Sequence, residues 1–270
     1  MKSQWECFLQ NLGVWVGSFT LFSPQGELLE DIPSRISFEG LNNNQELRLT
    51  LEREGKEDIV LNFSKQGIGG LIFLDNGAFS QAPVQFNPCS QFGGELGLIH
   101  QNRRLRLVQM FDKDSNINRI TLIREYKSGT EKVEAPQLKV DDLLGTWEGE
   151  AFTISPTLEE TTFTTKMQLQ LDGSGRLQQT TTYLGKTLTS SATVNGSVLE
   201  FDQNPENQVN VLLLPGGASA TFPVKAQLGK PLFIESGWLI EPDLRQRMIR
   251  MYGIKGEWIS LSLITERKVS

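Results

Sequence analysis

The sequence predicts an all-β protein made of two tandem antiparallel up-and-down β-barrels of about ten strands each, related by internal duplication. Three observations predict it. LGVWVGSFTLFSP at Leu12 to Pro24 returns as LGTWEGEAFTISP at Leu144 to Pro156, 132 residues later. A second echo closes each half: Arg104, Arg106, Met110 and Phe111, then Leu122, Ile123, Glu125 and Lys127, are answered by Arg245, Arg247, Met251 and Tyr252, then Leu263, Ile264, Glu266 and Lys268. Between these echoes the chain is a series of short runs of alternating polarity separated by turn residues, with no long helical period.

The first copy, residues 1–130, opens with Ser3 to Leu12, one of two stretches able to form a short helix or turn. Strands are expected near 13–22, 32–39, 46–53, 57–64, 70–74, 78–86, 94–100, 103–111 and 117–126. A polar linker, Lys127 to Lys139, is broken by Pro136 and short enough that the two barrels pack against each other or sit close in tandem.

The second copy, residues 138–270, repeats the plan. Val140 to Leu144 forms the second short lid, and strands are expected near 147–155, 161–171, 176–184, 187–194, 198–202, 209–214, 218–226, 232–240, 245–252 and 258–267. The punctuation is Asp172 to Gly175, Asn195-Gly196, Pro215-Gly216-Gly217, Pro242-Asp243 and Gly253 to Gly256. Asn195-Gly196 reads as a type I′ hairpin turn, which needs positive φ at both positions. Strands joined this tightly are antiparallel neighbours, and closing them into a barrel removes exposed sheet edges. The offset between copies grows from 132 to 141, so the second copy carries nine extra residues in its middle loops and hairpins.

Bulk properties exclude several function classes. The chain has 270 residues, enough for two cores, with 38% hydrophobic and 21% charged residues, as in ordinary globular proteins. Its longest apolar runs, such as Gly70 to Leu74 and Val209 to Leu214, fall far short of a membrane-spanning helix. The N-terminus lacks the pattern of a secretory signal, and Cys7 and Cys89 have no counterparts in the second copy, so free thiols and a cytoplasmic location are expected. A net charge of −6 argues against nucleic acid.

Catalytic and metal chemistry find no support in the pattern. His100 is the only histidine, which nearly excludes a Ser-His-Asp arrangement and rules out a multi-histidine metal site. It falls in a turn and reads as solvent-exposed. Glu159-Glu160 and Asp141-Asp142 read as solvated loop charge, and the glycine-rich pieces lack the following helix of a phosphate loop. No catalytic residue, metal or cofactor is expected, and the chain reads as a binding protein rather than an enzyme.

Trp15 and Trp147 stand on the first strand of each copy with glycines two residues before and after. Such an indole plugs one end of a barrel, while the glycines let neighbouring backbone approach. The Gly-x-Trp-x-Gly opening resembles that of lipocalins and the wider calycin group, which implies that an Arg on a late strand packs over the Trp. Arg104 or Arg106, and Arg245 or Arg247, are placed for it.

Alternation sorts the Arg strands onto two faces. Arg245, Arg247, Ile249 and Met251 share one, and Gln246, Met248, Arg250 and Tyr252 the other. Arg250-x-Tyr252, unique to the second copy, resembles the Arg-x-Tyr of intracellular fatty-acid-binding proteins. That resemblance implies an inward pair holding a ligand carboxylate, for which a guanidinium fork and a phenol are apt donors. The plain alternative is a solvated Arg250. Trp238, Trp258 and Glu150 are likewise confined to the second copy, and mark either a specialised pocket or the place where the barrels touch.

Over nearly its whole length the chain resembles an uncharacterised, chiefly cyanobacterial family of tandem calycin-like proteins, on its two Gly-x-Trp-x-Gly openings, Ile249 to Gly253 and the closing LSLITERK at Leu261 to Lys268. It is distantly similar to phycobilin lyases and to nitrobindin, a haem barrel with a related opening. The resulting expectation is an intracellular carrier of a small apolar ligand with an acidic group, such as a fatty acid, carotenoid derivative or tetrapyrrole. Arg245, Arg247, Arg250 and Tyr252 would hold the acid, and Trp147 and Trp238 would line or close the cavity. The alternatives are a lyase-like chromophore attachment protein, and a module that binds proteins without any ligand.

Overall fold

The computed structural model describes residues 2–68 and 70–269. In the first half, helix α1 (Gln4–Phe8) precedes strands β1 (Gly13–Phe22), β2 (Leu28–Leu41), β3 (Glu46–Arg53), β4 (Ile59–Ser64), β5 (Leu71–Phe73), β6 (Phe79–Gln81), β7 (Phe92–His100), β8 (Arg103–Phe111) and β9 (Ile117–Lys127). In the second, helix α2 (Val140–Leu143) precedes β10 (Gly145–Ile154), β11 (Glu160–Leu171), β12 (Leu177–Tyr183), β13 (Lys186–Asn195), β14 (Val198–Phe201), β15 (Val209–Leu213), β16 (Ala218–Pro223), β17 (Leu232–Glu241), β18 (Leu244–Tyr252) and β19 (Trp258–Lys268). No helix among the described residues is long and apolar enough to cross a membrane.

Every pairing is antiparallel; within each half successive strands pair, except β4 with β5, and the first strand pairs with the last. The second half closes into a ten-stranded barrel through β10 and β19. The first is a nine-stranded curled sheet that stays open between β4 and β5. Among the described residues the counterpart of β14 is missing: where the second copy has Val198–Phe201, only the residues from Lys65 to Gly70 separate β4 from β5.

The helix α1 covers part of that gap. Serine at its start caps it, with the Ser3 hydroxyl accepting from the Glu6 N–H and the Glu6 carboxylate accepting from the Ser3 N–H. From this fixed turn the Gln4 amide both donates to the Phe73 carbonyl and accepts from the Phe73 N–H, at 2.9 and 2.7 Å, which satisfies the bare edge of β5. Trp5 reaches the turn between β2 and β3 and donates to the Asn44 carbonyl. Phe8 enters the sheet interior, stacked on Phe73 at 4.5 Å and edge-on to Phe63.

The predicted Asn195-Gly196 turn takes a different form. Asn195 is the last residue of β13 and pairs with Val198, so Gly196 and Ser197 make the turn, with positive φ at Gly196 alone. A two-residue hairpin turn with positive φ at both positions is formed instead by Leu184-Gly185, between β12 and β13.

A large apolar core lies between the two sheets, built from Leu105, Leu107 and Phe111 on one side and Ile234, Trp238 and Met248 on the other, among others. Alternation puts these residues on the outer faces of β8, β17 and β18, so the halves pack back to back. Backbone bonds join connections at the same end of both: Phe86 N–H to the Gly256 carbonyl, Trp258 N–H to Val84, Ile117 N–H to Val224 and Ala226 N–H to Ser115. The helices therefore lie at one end of each half, and the opposite rims stand side by side.

Candidate functional site

Each half carries the same buried assembly at its helix end. Trp147 is fully buried, donates its indole N–H to the Leu143 carbonyl of α2 at 2.8 Å, and lies under the Arg245 guanidinium at 4.6 Å. Trp15 does the same with Asn11 and Arg104, at the same 2.8 and 4.6 Å. The glycines at plus two are required by space. A Cβ on Gly149 would fall 2.2 Å from the Thr265 carbonyl oxygen, and one on Gly17 would overlap the Arg124 carbonyl.

The arginines are held by acids on the neighbouring strands. In the first half Glu125 accepts from Arg104 and, through both of its oxygens, from Arg106, while Arg106 also donates to Glu95 at 2.6 Å. In the second half one oxygen of Glu266 accepts from Arg245 at 2.7 Å and Arg247 at 2.8 Å, and its other oxygen, also buried, has no partner among the described residues. Arg247 meets Glu235 only at 3.3 and 3.4 Å. Burial alone would push the Glu266 carboxyl up, but the two guanidiniums outweigh it and hold it below the usual carboxylate range. Burial likewise weighs against the charge on Arg245, and its pKa is lowered, whereas at Arg247 the facing Glu266 and Glu235 prevail and raise it.

Above this floor the second barrel is hollow. A cavity of about 280 Å³ is lined by apolar side chains, among them Leu169, Leu199 and Phe233, and by polar ones: Gln179, Ser190, Glu235, Arg245 and Arg247. It is reached from every strand between β11 and β18.

Three predicted site residues lie outside this barrel. Arg250 and Tyr252 occupy the outer face of β18, opposite to Arg245 and Arg247, and are fully buried against the first half. The Arg250 guanidinium donates to the Tyr252 hydroxyl at 2.9 Å, to the Ser80 hydroxyl and to the carbonyls of Ala82 and Pro83, while the Tyr252 hydroxyl donates to Pro83 at 2.8 Å. Burial pushes the Tyr252 phenol up, with Arg250 opposing. The expectation of an inward carboxylate clamp is corrected: alternation splits the four polar residues of β18, and this pair clamps the two halves together. Trp238 is on the outer face of β17, with the Arg103 guanidinium 5.4 Å from its ring. Trp258 packs under Arg250 at 4.6 Å.

His100 is also differently placed than expected. It ends β7, half-buried, with its Nε2 enclosed and unpartnered among the described residues, and burial followed by Arg103 lowers its pKa. What sequence reasoning missed was the role of the acids. Glu125 and Glu266 stand in the closing echo, and Glu95 and Glu235 lie on the strand at the other side of the arginines, so an acid repeated opposite a repeated arginine was the available signal.

Residues 1–130 match the N-terminal domain of the DUF3598 family, a domain of unknown function, and residues 134–269 match the family described as biogenesis factor required for ATP synthase 1, C-terminal domain. The crystal structure of a DUF3598 protein of unknown function from Nostoc punctiforme is 58% identical, covers 100% of both chains and superposes with a TM-score of 0.97. An S-type phycobiliprotein lyase from Guillardia theta is 10% identical, with 48% of this chain and 90% of that one covered and a TM-score of 0.34. No curated protein matches the chain. With its full-length likeness to the Nostoc protein, the chain belongs to the DUF3598 family.

Proposed function

We propose that this is a calycin-like binding protein whose second barrel receives a small, largely apolar ligand by an acidic end. The observation that carries the reading is the cavity and its one loosely paired guanidinium. Arg247 is bonded firmly to Glu266 at 2.8 Å but only weakly to Glu235, whereas its first-half counterpart Arg106 holds Glu95 at 2.6 Å. A ligand acid entering from the rim would take the place of the Glu235 contact and meet a preformed donor. Arg245 and Trp147 form the floor that keeps Arg247 in position. At about 280 Å³ the cavity falls just below the roughly 300–1,000 Å³ usual for drug-sized ligands, so a longer ligand would leave its tail at the mouth.

Titration with a medium-chain fatty acid and with its methyl ester tests this. The acid is expected to bind more tightly, and Arg247→Gln to erase the difference. Equal binding of acid and ester, or no binding of either, defeats the proposal.

A second reading rests on the match of residues 134–269 to a domain of an ATP synthase biogenesis factor. On it the chain would take part in ATP synthase assembly through its surface. Loss of the gene would lower assembled ATP synthase without lowering its subunits' synthesis; unchanged enzyme levels would end that reading.

A further inference from the structure

We propose that the rim of the second barrel is a surface that docks on anionic phospholipid. Five connections ring that end, and four of them, residues 155–159, 184–185, 224–231 and 253–257, each hold an aliphatic side chain out of the fold. Leu158, Leu184, Leu228 and Ile254 are 53%, 67%, 50% and 57% exposed. Single exposed aliphatic residues are ordinary, but one on each of four connections around one barrel mouth is a pattern.

Two of them stand where the backbone disfavours them. Leu158 has a φ of 62° and Leu184 a φ of 47°, in the left-handed region that suits glycine and asparagine. Leu184 opens a two-residue turn with Gly185, the position at which asparagine is favoured in type I′ hairpins. Neither leucine is placed there by the needs of the fold.

The charges beside the tips indicate the partner. Leu184-Gly185-Lys186, Leu228-Gly229-Lys230 and Ile254-Lys255-Gly256 each set a lysine next to the aliphatic residue. Lys186, Lys225 and Lys255 make no ion pair among the described residues; of the acids at this rim, Glu206 bonds Lys230, Asp202 bonds Arg176 and Glu257 accepts from the Lys255 N–H within its own turn, which leaves Glu159 and Glu160 beside Leu158. Aliphatic tips with free lysines beside them suit a bilayer interface, where the apolar groups enter the headgroup boundary and the ammonium groups stay with the phosphates. The tips stand on four separate connections around the barrel mouth, which fits a deformable surface better than a shaped protein segment. Val84 of the first half extends the patch. It is 68% exposed, its carbonyl accepts from the Trp258 N–H, and the neighbouring Gln85 amide donates to the Lys255 carbonyl.

Co-sedimentation of the full chain with phosphatidylcholine vesicles, with and without phosphatidylglycerol, tests the proposal. Binding is expected to the mixed vesicles and to weaken without phosphatidylglycerol. The double variant Leu158→Asn, Leu184→Asn should bind roughly tenfold more weakly or worse, since it removes two inserting side chains. Its unfolding midpoint should hold or rise, because asparagine suits both backbone positions, so lost docking is separable from lost folding. No binding by the wild type, or undiminished binding by the variant, overturns the proposal. So does light scattering that shows a dimer in vesicle-free buffer which the same substitutions dissolve, since the rim would then join two copies. Fatty-acid binding in vesicle-free buffer reads the cavity independently, and the variant should retain it.

Discussion

The two halves share a floor and differ in what stands above it. Tryptophan, paired arginines and a buried glutamate recur with matching geometry, down to the same 4.6 Å between guanidinium and indole. Above that floor the first half is open at one seam and takes Phe8 of α1 into its interior, while the second is closed by β14 and encloses a cavity. Duplication therefore preserved the assembly that holds a curled sheet together and let one copy give up its interior. Its residues new to the second copy went elsewhere: Trp238, Arg250, Tyr252 and Trp258 all face the other half.

The glutamates give the strongest way to break this comparison. Glu125 satisfies two arginines with both oxygens, and Glu266 does so with one. Replacing either by glutamine leaves two buried guanidiniums short of a counter-charge, a loss on the order of 3–5 kcal/mol where a buried pair is broken. Glu125→Gln should cost more than Glu266→Gln in denaturant unfolding of the whole chain. Equal costs would mean that the unpartnered oxygen of Glu266 is as well satisfied in solution as its counterpart.

Acid should act on the same groups. Burial would raise the Glu125 pKa, but Arg104 and Arg106 outweigh it and bring it to about 2, below the 4.5 of a free carboxyl. A depressed folded pKa gives stability that is present above about pH 4.5 and is lost as pH falls toward 2, here on the order of 3 kcal/mol. The Glu125→Gln variant should lose that part of the acid dependence, which pH-resolved unfolding would show.

The clamp between the halves ranks next. Arg250→Ala removes the donor from which the Tyr252 hydroxyl accepts and uncovers the Ala82 carbonyl, while the Tyr252 hydroxyl still donates to Pro83, at a cost of about 2–3 kcal/mol. Calorimetry should then show the single transition broaden or split into two as the halves uncouple. Fatty-acid binding should be unaffected, because the side chain lies outside the barrel. A variant that loses the ligand but keeps a single transition would restore Arg250 to the binding site.

That outcome bears on what could be read from the sequence. Strand positions and the buried Trp–Arg stack were legible because period-two alternation and a repeat at fixed offset are local signals. Alternation also separated Arg250 and Tyr252 from Arg245 and Arg247. Which face looks inward was not legible, since both faces of β18 are buried, one by the cavity floor and one by the other half. A strand with a neighbour on each side shows no polar face to orient it. The open seam was legible in part: nine strands are expected in the first copy against ten in the second, but β5 and β6 are three residues each, and the expected strands near 70–74 and 78–86 did not show where the missing partner lay.

The smallest expected effect concerns that seam. In the second half the corresponding stretch of backbone is paired with β14, so its protection is shared among many ladder bonds. In the first half the edge of β5 at Phe73 depends on the side chain of Gln4, which meets both the N–H and the carbonyl. Gln4→Ala returns two part-buried backbone groups to water, and the helix still has its Ser3–Glu6 cap, so the loss should be about 1–2 kcal/mol and local. Hydrogen exchange should show the Phe73 amide opening faster while amides of β15 and β16 keep their rates. If β5 stays protected in the variant, the packing of Phe8 on Phe73 alone holds the lip, and the helix acts as a core element and no longer as a substitute for the missing strand.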